Sequence, residues 1–382
     1  MTRRAALWLF AAGTVGFLAS CLLVAQGLLD GSLYSDVHVY AVYGGHMTAG
    51  EVPYRDFFDE YPPLAQPVFL LGRIGGASHY ASVFKAFMAL CGVGALGCAV
   101  ATLYATRASL RRSVVAVAVI AAAPLLVGPI FLNAYDLWPA FLLSLALALL
   151  VRGRPMWAFA VLGAAVAAKV YPVAVLPVAF LAVERRVLTR AAAAFVGVLV
   201  VAHLPFAALG PGGLRHSYML QAKRGLELNS LGSSILLLVG HPATANEPPG
   251  SLNVVGGGAH ALAIVSTLLV LAAIAAATFA YLRGLPLVAA FAAAVAGVVA
   301  FDKVFSAQYV DWLVPLAPLA GLLPSAVTVT VLVLTRLVFS HRSAIAEDHD
   351  IALLLARNVA AVALFVTLLL PVTVPGRRDA RS

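Results

Sequence analysis

Apolar runs of bilayer-crossing length recur from one end of the chain to the other, separated by short stretches where arginine, glycine and proline gather. A run of ~20 apolar residues with few charges has the length of a helix that crosses the hydrocarbon of a membrane. Reading the runs between arginine clusters predicts about 12 spans. They lie near 6–29, 78–105, 113–130, 136–151, 156–168, 171–184, 191–209, 259–281, 285–301, 309–323, 326–340 and 351–374. A soluble helical bundle would show polar faces at helical period, which these runs lack. An outer-membrane barrel would show short alternating strands. The expected fold is an all-α polytopic membrane protein occupying 1–382 as a single integral-membrane domain. Whether Pro324 and Ser325 kink one helix over 309–340 or separate two is left open by the pattern.

Composition agrees: 62% of the 382 residues are hydrophobic and 11% charged, against about a quarter charged in a soluble domain. The net charge of +9 invites a nucleic-acid reading. The basic residues, however, sit at the ends of apolar runs, where they set topology. With both termini cytoplasmic, Arg3, Arg4, Arg107, Arg111, Arg112, Arg152, Arg154, Arg185, Arg186, Arg190, Arg283, Arg377, Arg378 and Arg381 place just over half of the basic residues on that side. Nearly all the carboxylates then face the other side, together with more cations than topology needs. Two segments on that side are long, 30–77 and 210–258.

Several features have bland readings. Leu18-Ala19-Ser20-Cys21 resembles a lipoprotein cleavage box, but the apolar run continues to Leu29, longer than a cleavable signal. An uncleaved first helix is expected. Cys21, Cys91 and Cys98 lie inside apolar runs, without disulfide or zinc spacing. Gly92 to Gly97 fits the dinucleotide pattern GxGxxG, yet within an apolar helix small residues serve close helix approach instead. The histidines outside the first loop are scattered without metal-ligand spacing.

The chain turns densely polar only from Tyr34 to Leu64, where five carboxylates, two histidines and five tyrosines follow the first span. If residues 35–49 form a helix, Asp36, Tyr40 and Tyr43 share one face. A carboxylate between two phenols can take a proton from a sugar hydroxyl while the rings stack on the sugar. On spacing alone, an Asp36 that caps the helix is the simpler account. Asp56, Asp59 and Glu60 precede the rigid Tyr61-Pro62-Pro63 and read as a cation site or, with Arg55, a salt-bridged turn. Lys169 and Lys303 each close an apolar run, a costly place for a cation that demands an anionic partner. That partner is an internal carboxylate such as Asp136 or Asp302, or a lipid phosphate, with Arg336 and Arg357 available to the same anion. Ser306, Gln308 and Tyr309 either line a cavity or satisfy helix ends.

These pieces in this order resemble glycosyltransferase family 87. Asp36-x-x-Val39-Tyr40 after the first span, Gly50-x-x-Pro53-Tyr54-Arg55-Asp56 and Tyr61-Pro62-Pro63-Leu64 look like its opening. Lys169-Val170-Tyr171-Pro172, and Val304 to Tyr309 with Trp312 and Pro315, look like its later motifs. Two departures stand out: Val170 and Ala307 occupy positions where proline is frequent. The resemblance implies the GT-C type of membrane glycosyltransferase, with a helical first extracytoplasmic loop and a polyprenyl-phosphate sugar as donor. It makes Asp36 the general base and so displaces the capping account. Joined to the residue chemistry above, it leads to an expectation of donor-phosphate binding by Lys169, Lys303, Arg336 and Arg357, and of sugar or acceptor binding by Tyr40, Tyr43, Tyr61, Asp56, Glu60, Gln308 and Tyr309. A hexose, mannose by analogy with characterised members that build phosphatidylinositol mannosides, would pass to a lipid or glycan acceptor with inversion. The expected partners are membrane lipids and these substrates, with no nucleic acid, no metal and no cofactor beyond the lipid-linked sugar. The location expected is the cell membrane with an extracytoplasmic active site; the competing class is a transporter or lipid flippase.

Overall fold

The computed structural model describes residues 1–28, 35–240, 243–247, 251–340 and 351–370. The start of the first loop at 30–34, His241, His341 and the last arginines, Arg377, Arg378 and Arg381, lie outside the described residues.

The first helix, α1 (Arg3–Ala25), begins where Thr2 accepts a hydrogen bond from the Ala5 amide, and it is followed by α2 (Val37–Thr48) and the short α3 (Gln66–Leu71). Then come α4 (Tyr80–Ala105), α5 (Leu110–Val127), α6 (Leu137–Val151), α7 (Pro155–Ala168), α8 (Leu176–Leu181) and α9 (Arg185–Leu209). The second long loop supplies α10 (Pro211–Lys223) and α11 (Leu231–Val239), and the bundle closes with α12 (Ala259–Leu282), α13 (Leu287–Phe301), α14 (Leu322–Ser340) and α15 (Ile351–Leu369). Among the described residues, seven of these helices are long and apolar enough to cross a membrane: α1, α4, α5, α9, α12, α14 and α15. The chain is an all-α polytopic membrane protein.

The expected dozen spans resolve into these seven plus shorter helices packed among them. Two expected spans are not continuous α-helices, for the same reason. Residues 171–184 form a 3-10 turn, Tyr171–Val175, before α8, and 309–323 breaks into the 3-10 turns Ala307–Trp312 and Ala317–Ala320. Pro172, Pro315 and Pro318 remove amide donors and clash with the preceding turn, which favours a break in the α-helical ladder there, and Pro177 sits in the first turn of α8. Pro324 lies in the first turn of α14, where a missing amide costs nothing, so α14 is one straight-through helix and 309–320 is a separate irregular segment.

α13 lies at the centre, with every residue from Val288 to Ala300 buried, while α9 and α12 sit at the periphery with long apolar faces exposed. Glycine brings helices together: a Cβ on Gly92 would enter the ring of Phe17, and one on Gly94 would enter Phe141. One end of the bundle is basic, with the Met1 amino group 3.4 Å from the Ala108 carbonyl and Arg112 donating to Leu319. The opposite end carries both long loops.

The second loop holds structure that the sequence pattern did not indicate. Strands β1 (Leu226–Glu227), β2 (Ala243–Glu247) and β3 (Ser251–Val255) form an antiparallel sheet in the order β1-β3-β2. α10 then presses on the first loop. Tyr54 there adopts φ +66°, uncommon for a non-glycine residue. Its hydroxyl donates to the Tyr61 carbonyl and accepts from Gln66 Nε2 at 3.2 Å, which holds that turn. Gly210 and Gly213 lie against the Tyr54 backbone so closely that a Cβ on Gly213 would run into the Tyr54 carbonyl.

Gly213→Ala should therefore destabilise the protein by about 1–3 kcal/mol through forced separation of the two loops. Gly212→Ala, with nothing within 4 Å of its Cβ, is the matched control and should leave stability unchanged. Thermal unfolding in detergent reads both, and equal melting of the two variants would contradict this packing.

Candidate active site

The first loop returns to the bundle at Asp36, whose amide donates to the Asn133 carbonyl at 3.1 Å. Asp36 precedes α2 but has φ −90° and ψ −2°, and its side chain makes no capping bond. The capping account thus gives way to another. The carboxylate Oδ2 accepts from the Tyr40 hydroxyl one helical turn on, and from Gln308 Nε2, both at 3.3 Å. Gln308 arrives from 272 positions away, on the proline-broken segment after α13.

Beneath Asp36 lies an aromatic cluster. Tyr40 stacks on Phe69 at 4.5 Å between ring centres, and meets Phe84, Tyr61 and Tyr135 at 5.3, 5.6 and 5.7 Å. Tyr40 is fully buried, so its ring has no face open to a sugar; its hydroxyl alone reaches the carboxylate. Tyr43 and Tyr61 are half-buried and 6.2 Å apart.

One side of this centre is built on Lys169, where α7 ends. Its ammonium donates to Asp136 Oδ1 at 2.6 Å, and Trp312 Nε1 donates to the same oxygen at 2.6 Å. The rings of Tyr135, Trp312 and Tyr309 surround the ammonium at 4.7, 5.3 and 5.4 Å. Lys169 therefore takes the internal carboxylate as partner, while its side chain stays 16% exposed.

The other side is built from the second loop. Gln221 Nε2 donates to Glu60 Oε2 at 3.2 Å, and Arg224 lies in the field of Glu60, Glu227, Asp302 and Tyr309. Glu227 pins the backbone here, accepting from the Phe305 amide at 2.7 Å while its own amide donates to the Lys303 carbonyl. Lys303 donates to the Ala222 carbonyl at 2.8 Å. Lys223, Arg224, Lys303 and His260 edge a cleft of about 550 Å³ whose apolar wall is Ala259, Ala263 and Ile264 of α12. Because α12 exposes Ile264, Leu268 and Leu271, the cleft lies beside a lipid-facing surface.

The trio of acids divides. Asp56 pairs with Arg55 at 2.7 Å and accepts from the Val52 amide, apart from the centre; that pairing holds its carboxyl down at about 2. Asp59 is fully buried and its carboxyl is pushed up to about 7 by burial. Glu60 is pushed up to about 7 by burial, with the Asp36 charge adding and Arg224 opposing.

Of the remaining sequence candidates, Tyr309 joins the Lys169 cage, whereas Arg336 packs against Gly128 and Arg357 is enclosed in the core. The Arg357 guanidinium lies 3.6 Å over the Phe305 ring and donates to the Asn229 carbonyl, so it braces the loop from below instead of lining the cleft. Arg224, Gln221, Glu227 and Asp311 are the residues that sequence reading missed. The one signal for Arg224 was the surplus of cations on the side where topology requires none. Among the described residues, no three His, Cys, Asp or Glu side chains group closely enough to hold a metal ion.

The two raised carboxyls give stability a sign. Folded Asp59 and Glu60 keep protons that the unfolded chain gives up near pH ~4, so stability falls as pH rises from about 4 through 7. Detergent-solubilised protein should melt higher at about pH 5 than at about pH 8, and the gap should narrow in Asp59→Asn. An unchanged gap in that variant would contradict the burial of a protonated Asp59.

A family model described as glycosyltransferase family 87 matches residues 58–307. The match takes in Glu60, Lys169, Arg224 and Lys303, and it starts beyond Asp36. Among curated proteins, none matches the chain. A match over most of a many-spanning chain removes the transporter alternative: the protein belongs to glycosyltransferase family 87 and is a membrane glycosyltransferase.

Proposed function

We propose that the protein moves a hexose, with mannose favoured, from a polyprenyl-phosphate donor to a lipid or glycan acceptor, with Asp36 as general base. The observation that carries this reading is the placing of a hydrogen-bonded carboxylate and two cationic elements at one end of the bundle, with a cleft beside a lipid-facing helix. A donor anchored in the bilayer reaches such a cleft from the side without leaving lipid.

In this mechanism Asp36 takes the proton of an acceptor hydroxyl. The hydroxyl oxygen attacks the anomeric carbon from the face opposite the phosphate. The bond from that carbon to the phosphate oxygen breaks, the electron pair leaves with the polyprenyl phosphate, and the configuration inverts. Charge growing on the departing phosphate is met by the fixed cations Lys303 and Arg224 in the cleft and by Lys169 on the far side. Tyr40 and Gln308 aim the carboxylate, while Tyr43 and Tyr61 offer ring faces to the sugar. Glu60 and Tyr309 border the acceptor side. Lys169, tied to Asp136, acts at the edge of this field, and Arg336 and Arg357 act through packing. With the basic end cytoplasmic, the side that the modest arginine bias favours, the site faces the extracytoplasmic side.

Two outcomes test this. Asp36→Asn keeps the hydrogen-bonding shape but not the basicity, and should lower transfer by ~10²-fold or more in membranes; a rate near wild type would remove Asp36 from the base role. Arg224→Gln and Lys303→Gln should lower kcat/KM for a polyprenyl-phosphate sugar, with kcat falling at least as much as KM rises. An unchanged donor response would place the phosphate elsewhere.

A further inference from the structure

Behind Lys169 lies a group that the mechanism above does not use. Asp311, on the 3-10 turn Ala307–Trp312, is completely buried, and neither of its carboxylate oxygens has a hydrogen-bond partner. Asp136 Oδ2 and the Tyr171 hydroxyl, also buried, lack partners too. These groups form one cluster: Asp311 lies in the field of Asp136 and Lys169, and Tyr171 in that of both aspartates. Tyr171 stacks on Trp312 at 3.8 Å, and Trp312 reaches Asp136. Tyr135 and Tyr309 close the ring around the lysine.

The charges do not balance if every group is ionised. Two sealed carboxylates face one ammonium, and two like charges sharing a buried site do not both stay ionised. The hydrogen bonds say which one is charged. Lys169 and Trp312 both donate to Asp136, the pattern of a carboxylate, whereas none of the described donors reaches Asp311. An O–H on Asp311 would be the donor that these unpartnered oxygens lack, reaching Asp136 Oδ2 or the Tyr171 oxygen through a buried water.

We infer that Asp311 is a buried protonated carboxyl, carrying the single proton of the Asp311 and Asp136 pair, and serves as a positioning residue for Lys169. With a single counter-charge in place of two, the ammonium keeps a net positive pull toward its exposed side. When an anion draws Lys169 away, the pair still holds one proton and one negative charge in place of two, and Trp312 continues to donate to that charge on Asp136. The consequence for a substrate phosphate rests on the role proposed for Lys169, but the stored proton does not.

The infrared spectrum of the purified full-length protein tests the proton without any substrate. At about pH 9, Asp59 and Glu60 have lost their protons, since both titrate near 7. A carbonyl band of a protonated carboxyl should remain there, vanish in Asp311→Asn, persist in Asp59→Asn and return in Asp311→Glu. Melting curves confirm that each variant is folded. A wild-type spectrum without the band at that pH, or a band that survives in Asp311→Asn, overturns the inference. So does a melting temperature that depends on sodium, which would put a cation where the proton is assigned. For the positioning role, the donor KM in wild type should climb only at the higher pH where that band is lost and should not follow it in Asp311→Asn; parallel climbs in both would leave Asp311 with no hold on Lys169.

Discussion

The hydrogen bond from Gln308 to Asp36 sets the terms for the rest of the molecule. It joins the first polar loop to a segment 272 positions later, so everything between must fold back to bring those two residues to one end of the bundle. The segment that carries Gln308 cannot be a regular helix. Its prolines break the ladder, and the resulting 3-10 turns bring Gln308, Tyr309, Asp311 and Trp312 into the site within a few residues of one another. In such a turn Gln308 and Asp311 lie one above the other, as do Tyr309 and Trp312, because residues three apart eclipse. The buried α13 before it and the straight α14 after it hold this irregular piece in place.

Charge is sorted with equal economy. Lys169 is held by Asp136 beneath three aromatic rings, while Arg224 and Lys303 edge a cleft that the second loop builds. Two neutral donors, a phenol and an amide, reach Asp36. Glycine makes the arrangement possible at a distance: Gly210 and Gly213 let α10 lie on the Tyr54 turn, and α10 ends in the stretch that supplies Gln221 and Arg224. Contacts far from the carboxylate thereby hold the stretch that builds the cationic cleft, whose lining does not include Asp36 itself.

Much of this was legible in the chain. Long apolar runs give the spanning helices because hydrocarbon leaves the backbone no other way to satisfy its amides. The four-residue spacing of Asp36 and Tyr40 gives their hydrogen bond, since those positions share a helix face. Lys169 demanded a counter-ion and has one in Asp136. Other features were not legible, for identifiable reasons. Apolarity alone does not separate an α-helix from a proline-broken segment, so 171–184 and 309–323 read as spans. β2 is a short run of Ala, Thr, Asn and Glu whose pairing depends on β3, not on its own pattern. Asp311 sits in an apolar stretch, and its isolation from donors becomes visible only when Asp136, Lys169 and Tyr171 are seen around it. Arg357 has the charge of a phosphate ligand and the burial of a core residue, and sequence reports only the first.

The central claim is that one acidic side chain and one cationic cleft act together on a lipid-linked sugar. The most direct measurement incubates membranes containing the protein with labelled polyprenyl-phosphate mannose and determines the anomeric configuration of the labelled product. The account predicts label on a lipid or glycan acceptor with configuration opposite to that of the donor. Retained configuration, or label accepted only from a nucleotide sugar, would contradict it.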